Sequence, residues 1–500
     1  MRQAWHIFRK DVAHLWPHVT IVLLLVAAFV VSSTNEQPAI LRRELLGVLV
    51  PVAYAWLIVM VVHQEALPGH RQFWLTRPCC LGSLVAAKIL FILLFVCGSM
   101  LAKDVLIAAA LRDPEIADLP GLLLRQLAWT SWVVLPAFAT GVVTRNLQET
   151  GLVGGALALF YGVAGILVRK SFWPGIEWVR DYLGMLVLFT LCVGIVLWQY
   201  FRRETGKARL AVACCAAIII IGLPLLPWGL GFGVQMLARR PRVDLQSARI
   251  TADMTPQARA AGAERGRDPV MIALPVRISG FPTGMTLVPD GTRAVLSSGE
   301  RELWHSGWQQ SWVGRSVDTY RLQMFYMDSR AYRSLENASV TVKLSLALTL
   351  LEDEPASRVP VRERAFTVFG ERCENQSRQS DPPFVRCLAA IEAPPAAIVE
   401  LEAGGLSQTV AHTGTWSYAP YQAVLDLSPV QQQYLPITGP PDWCDETRKL
   451  WEAPAGQFVF TPQQPVAHFR RELEFRNVRL ADYALPPGRA LFTSQGPCGK

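Results

Sequence analysis

The sequence predicts a membrane α-helical bundle of six or seven transmembrane helices, followed by a mostly β soluble domain, a β-sandwich of Ig-like architecture. Hydrophobic residues make up 51% of the 500 residues and mean hydropathy is +0.26. The apolar runs crowd into the first half, which marks an integral membrane protein. The second half alternates apolar and polar residues between Gly, Pro, Asn and Asp turns, as half-buried strands do. The formal charge of +8 is modest, and the basic residues flank apolar runs without forming a dense block. That distribution fits contact with a lipid bilayer and gives no reason to expect a nucleic-acid partner.

Residues 1–18 read as an interfacial amphipathic helix. Trp5, Ile7, Phe8, Val12, Leu15 and Trp16 form a greasy face beside Arg2, Arg9 and Lys10. A secretory signal peptide is the other reading of this start, but no small-residue cleavage site is evident and further spans follow at once. The transmembrane domain, residues 19–237, offers runs at 19–33, 45–62, 84–102, 126–144, 151–168, 182–200 and 210–237, judged against the ~20 apolar residues a span needs. The first is short, and the third carries Lys88 near its end, where a long amine can snorkel. Pro136, Pro224 and Pro227 should bend their helices. Gly151, Gly154, Gly155 and Gly162 suit close helix packing. Lys103 and Asp104, near the outer end of the third span, read as a solvated or locally paired helix end or as a transport group.

Basic residues lean weakly toward a cytoplasmic N-terminus, with FRRETGKAR at 201–209 the strongest inner signal and Arg239, Arg240 and Arg242 opposing it. Cysteines favour an odd number of spans. Cys79, Cys80, Cys97, Cys192, Cys214 and Cys215 lie in or beside spans, whereas Cys373, Cys387, Cys444 and Cys498 share the tail. An even number there suits disulfides in an oxidising compartment. Cys373 and Cys387 flank a turn-rich insert between β-like runs and form the first expected bridge, which leaves Cys444 for Cys498. Four free thiols in a cytosolic domain is the competing reading. The expected placement is thus a multi-pass protein of the cell (inner) membrane with its C-terminal domain extracytoplasmic.

Residues 238–268 form a linker, readable as a helix or as a tether. The β domain, 269–500, holds one or two modules with strand-like runs at 269–279, 339–351, 364–369, 397–402 and 471–479. GFPTG at 280–284 and PDG at 289–291 are turn signals.

The sequence motifs give no catalytic or metal assignment. It has no GxxxxGK(S/T) phosphate loop, no HExxH and no GxSxG. The 8 histidines are scattered, and no Cys/His spacing suits zinc. An enzyme is not expected, and neither is a cofactor in this chain.

The most informative stretch is the polar connection after the second span, HQEALPGHRQFWLTRPCCLGSLVAAKIL, at 63–90. Glu65, His70, Arg71, Arg77 and Lys88 stand among Phe73, Trp74 and Leu75, as in a short helix at a membrane surface. Such a helix, pinned by Phe73 and Trp74, can pass force between a soluble partner and the bundle, with Arg71 and Arg77 facing acidic groups. An ordinary aromatic belt with positive-inside anchors is the plainer reading.

With the amphipathic FRKDVAHLWP before the first span, Glu65, Gly69, Leu75, Pro78, Leu84 and Lys88 make residues 1–237 resemble the membrane (permease) subunits of type-2 ABC exporters. The resemblance implies a cytoplasmic coupling helix at 72–78 that docks on a separate ABC ATPase subunit, which uses the ATP. The expected contact residues are Glu65, Gly69, Arg71, Phe73, Trp74, Arg77 and Pro78, in a homodimer or paired permease. The seventh span and the β tail depart from the six-span pattern of that family. The alternative function is a non-transporting, membrane-anchored protein that binds a ligand or envelope partner through its β domain.

Overall fold

The computed structural model describes residues 2–34, 40–65, 81–111, 119–167, 176–238, 249–252, 269–280, 284–309, 320–368, 371–375, 384–390, 396–403, 406–413, 430–436 and 455–484. A helical bundle is followed by a mostly β region, and among the described residues six helical runs, three of them continuing through π turns, are long and apolar enough to cross a membrane.

Helix α1 (Arg2–Thr34) is continuous through Pro17. Its buried side chains Phe8, Asp11, Leu15, Val19, Val22, Val26 and Phe29 recur every three or four residues, the spacing of one packed stripe. At 1.5 Å per residue it is about 50 Å long, well beyond the ~30 Å of bilayer hydrocarbon. Helix α2 is Ile40–His63. Helix α3 (Leu81–Ile92) passes through a π turn, Leu93–Cys97, into α4 (Gly98–Leu111). Helix α5 (Leu119–Trp129) likewise enters α6 (Leu135–Val143) through the π turn Thr130–Val134.

Helix α7 is Leu147–Leu167, α8 is Glu177–Arg202, and α9 (Thr205–Ala217) reaches α10 (Leu223–Leu225) through the π turn Ile218–Gly222. The expected last span, 210–237, is broken. Leu226 is extended, at ψ 137°, because the ring of Pro227 disfavours helical backbone in the residue before it. The chain restarts as a separate helix, α11 (Trp228–Ala238).

The β region begins with β1 (Arg249–Ala252), inside the expected linker, and β2 (Val270–Ser279). Strands β3 (Met285–Ser298), β4 (Arg301–His305) and β5 (Tyr320–Met327) follow, then the short α12 (Ser329–Leu335), whose first turn is capped by Asp328. Next come β6 (Ser339–Asp353), β7 (Ser357–Pro360), β8 (Ala365–Val368), β9 (Glu371–Asn375) and β10 (Phe384–Ala390). The last strands are β11 (Ala396–Ala403), β12 (Leu406–Thr413), β13 (Val430–Pro436) and the 23-residue β14 (Gln457–Arg479).

The main sheet runs β12-β11-β14-β6-β3-β4, with β7 also on β14. A sheet β1-β2-β5 packs on one face of it through Ile272, Leu274, Phe325, Leu344, Leu346, Leu348 and Phe469. A third sheet, β13-β10-β9-β8, shares a second core with the start of β14 through Phe366, Val385, Leu401, Phe458 and Phe460. Two cores are thereby strung on one long strand.

The PDG expected to turn at 289–291 is instead a bulge within β3, where the register on β6 shifts between Pro289 and Gly291. The extra residue, Asp290, is turned inward and buried. The expected bridge Cys373–Cys387 is present and joins directly opposed residues of β9 and β10. Cys444 and Cys498 lie outside the described residues.

Candidate functional site

The bundle carries two buried ion clusters, one near each end. At the near end the ammonium of Lys88, fully buried in α3, donates to Asp11 Oδ2 of α1 at 2.8 Å and is paired with Glu65, just past α2. Lys10 closes the cluster, donating to Glu65 Oε1 at 2.6 Å. Lys88 does not snorkel: it turns inward because two carboxylates meet it there, and a buried ammonium is tolerated only when paired. Partial burial would raise the Glu65 carboxyl, but Lys88 and Lys10 outweigh it and hold this group below its ordinary 4.5.

A second network adjoins this cluster. His63, at the end of α2, donates from Nε2 to the carbonyl of Gly141 at 3.1 Å, with Thr144 Oγ1 also at 3.1 Å. Arg209 of α9 donates to the carbonyl of Val143 at 3.0 Å and pairs with Glu149 in the first turn of α7. The near ends of α1, α2, α3, α6, α7 and α9 are tied by these contacts. Of the expected docking residues only Glu65 is described; Gly69, Arg71, Phe73, Trp74, Arg77 and Pro78 lie outside the described residues. The connection that carries them starts next to Glu65 and returns into α3, which holds Lys88.

At the far end Asp104 of α4 is ion-paired with Lys103 at 2.8 Å and accepts from Arg125 Nε of α5 at 2.8 Å and from Gln126 Nε2 at 3.2 Å. The Lys103 ammonium lies 5.4 Å from the centre of the Phe29 ring. All three charged side chains are buried, so this is no solvated helix end: it ties α4 to α5 and, through Phe29, to α1. Lys88 and Asp104 are sixteen positions apart, about 24 Å along a helix, so the clusters bracket most of a ~30 Å hydrocarbon layer.

Helix α11 joins the bundle to the β region. Its face at Trp228, Phe232 and Gln235 meets the side of the main sheet that carries Ala347, Thr349, His468 and Arg470. The Arg470 guanidinium lies 5.0 to 5.6 Å from the rings of Phe232, Trp228 and Trp308. His468 Nδ1 is 2.7 Å from Thr349 Oγ1 and 2.8 Å from the Gln235 amide, while the Thr349 hydroxyl donates to Asp290 in the bulge. Ile176, just before α8, and Val179 in its first turn complete the contact. The β region therefore sits at the end of the bundle opposite Lys10 and Asp11.

Sequence reasoning missed Asp11, Arg125 and this joint. Asp11 had a signal, an acid placed on an otherwise apolar stripe. Among the described residues nothing packs on the glycines of α7: a Cβ at Gly151, Gly154, Gly155 or Gly162 would meet nothing within 4 Å.

Comparison with known protein families, with curated proteins and with solved structures gives no match. The class that the fold itself defines is a multi-pass membrane protein with an appended β region.

Proposed function

We propose that the chain is the membrane permease subunit of an ABC-type exporter, driven by a separate cytoplasmic ATPase that docks on residues 72–78, in the connection between α2 and α3. One observation carries this reading: Glu65, where that connection begins, is paired with Lys88, in the helix where it ends, and Asp11 binds the same ammonium. A load applied to the connection reaches three helices through one buried cluster. In this reading the near end is cytoplasmic and the β region extracytoplasmic in the cell (inner) membrane. The Cys373–Cys387 bridge supports that side for the β region, as does its place opposite the N-terminal end. The permease works as a homodimer or paired with a second permease, and the exposed face of α7, with Gly154 and Gly162 unpacked, supports a partner helix. ATP is used by the partner; this chain is not itself an enzyme.

The joint at α11 favours a second reading, a membrane-anchored protein whose β region binds an envelope partner or ligand. Co-purification separates the two. The tagged chain in mild detergent should retain an ATPase, and Arg71→Ala, Trp74→Ala and Arg77→Ala together should lose it. Absence of any ATPase, under conditions that preserve an authentic transporter complex, would move the function to the β region.

A further inference from the structure

A seam of buried polar groups runs between α2, α4 and α5 in the far half of the bundle. It begins where two π turns face each other. Gly98 N–H bonds to the Leu93 carbonyl and Leu135 N–H to the Thr130 carbonyl, and Cys97 Sγ lies 3.9 Å from Thr130 Oγ1. A π turn is a rare helix geometry that is frequently found at functional sites. From there the seam passes the Tyr54 hydroxyl, 2.6 Å from Ser99 Oγ, and the Trp129 ring, edge-on to Tyr54 at 5.9 Å, and ends at Gln126 and Asp104.

Two buried atoms on it have neither a hydrogen-bond nor an ion-pair partner among the described residues. One is the indole N–H of Trp129, whose side chain is 2% exposed, and the other is Gln126 Oε1. Gln126 cannot cure this by turning its amide over, since its oxygen would then face the Asp104 carboxylate that its nitrogen now serves. Being three residues apart, the two groups share a helix face, with one spare donor and one spare acceptor.

We propose that this seam binds the polar head of an uncharged amphiphile, a primary amide or an alcohol, which accepts from Trp129 Nε1 and donates to Gln126 Oε1. The head must supply one acceptor to Trp129 Nε1–H and one donor to Gln126 Oε1, which a neutral amide or alcohol does and which a carboxylate, with no donor, or a quaternary ammonium, with neither, does not. The site rests on the geometry of the seam and holds without the transport reading; within that reading it names the substrate class.

The test uses the full chain in phosphatidylcholine nanodiscs with ten-carbon probes: decanamide, 1-decanol, decanoate, decyltrimethylammonium and decane. Decanamide and 1-decanol should raise the thermal midpoint by several degrees and slow alkylation of Cys97 by N-ethylmaleimide, read by peptide mass spectrometry, at least fivefold. Trp129→Phe keeps the ring and removes the N–H, so it should abolish both effects. Gln126→Leu should do the same and serves if the first variant fails to fold. Equal shifts from all five probes, unchanged selectivity in a folded variant, or neither shift nor protection would overturn the site, the last leaving a water molecule as its occupant. No ATPase enters the assay, so its outcome is separate from that of the co-purification.

Discussion

At the scale of single residues, charge pairing inside the bundle decides what each substitution does. Removing Lys88 leaves Asp11 and Glu65 facing each other with only the exposed Lys10 for company. Lys88→Met should therefore cost about 3–5 kcal/mol, the usual penalty for stranding a buried charge, seen as a lower unfolding midpoint in detergent. Lys88→Glu combined with Glu65→Lys should recover part of that loss, whereas a purely steric role for Lys88 would give no recovery. Glu65 also fixes the sign of a pH effect. Its folded carboxyl lies below 4.5, so the folded state binds its proton less readily than the unfolded chain. The stabilisation is complete above that range and fades as pH falls through the lower folded value. Glu65→Gln should flatten the acid limb of stability there, and a profile unchanged from the wild type would contradict the assignment.

Secondary structure was legible where a single period ruled. The alternation of Val340, Val342, Leu344, Leu346, Leu348 and Leu350 announced β6, and the turn-rich insert between Cys373 and Cys387 announced a bridged hairpin. Three-dimensional pairing was not legible. Lys103 and Asp104 read as a helix end because nothing local shows that Arg125 lies across from them. PDG read as a turn because Pro, Asp and Gly are turn formers; within a sheet the same residues made a bulge that delivers Asp290 to Thr349. Leu225 ended the last apolar run early because Pro227 outweighed an apolar sequence that continues to Leu237. The bridge between β9 and β10 spans a sequence separation of 14. Loop-closure entropy for that length predicts about 3 kcal/mol lost on replacing both cysteines by serine, measurable as a drop in the melting temperature of the chain.

Across the whole molecule, α11 makes the bundle and the β region one mechanical unit. Trp228 and Phe232 stack around Arg470, while Gln235, His468, Thr349 and Asp290 form a buried polar chain beside them. Trp228→Ala should uncouple the parts, so that one cooperative thermal transition separates into two and amides of α11 lose protection from hydrogen exchange. A single transition shifted only in midpoint would show that the joint is not what couples them. The two ion clusters hold register along the bundle in the same way that the joint holds register across its end, and buried ion pairs serve specificity of this kind better than net stability. A bundle braced at both ends, with Glu65 at the start of the connection between α2 and α3 paired to Lys88 beyond it, fits the proposal that the bundle is driven from that side.

The most direct measurement of that claim is photocrosslinking in intact cells from a photoreactive amino acid placed at Trp74. The account predicts an adduct between this chain and a nucleotide-binding ATPase, reduced when Glu65 and Lys88 are both neutralised. Adducts with lipid alone, or with an extracytoplasmic protein, would contradict it.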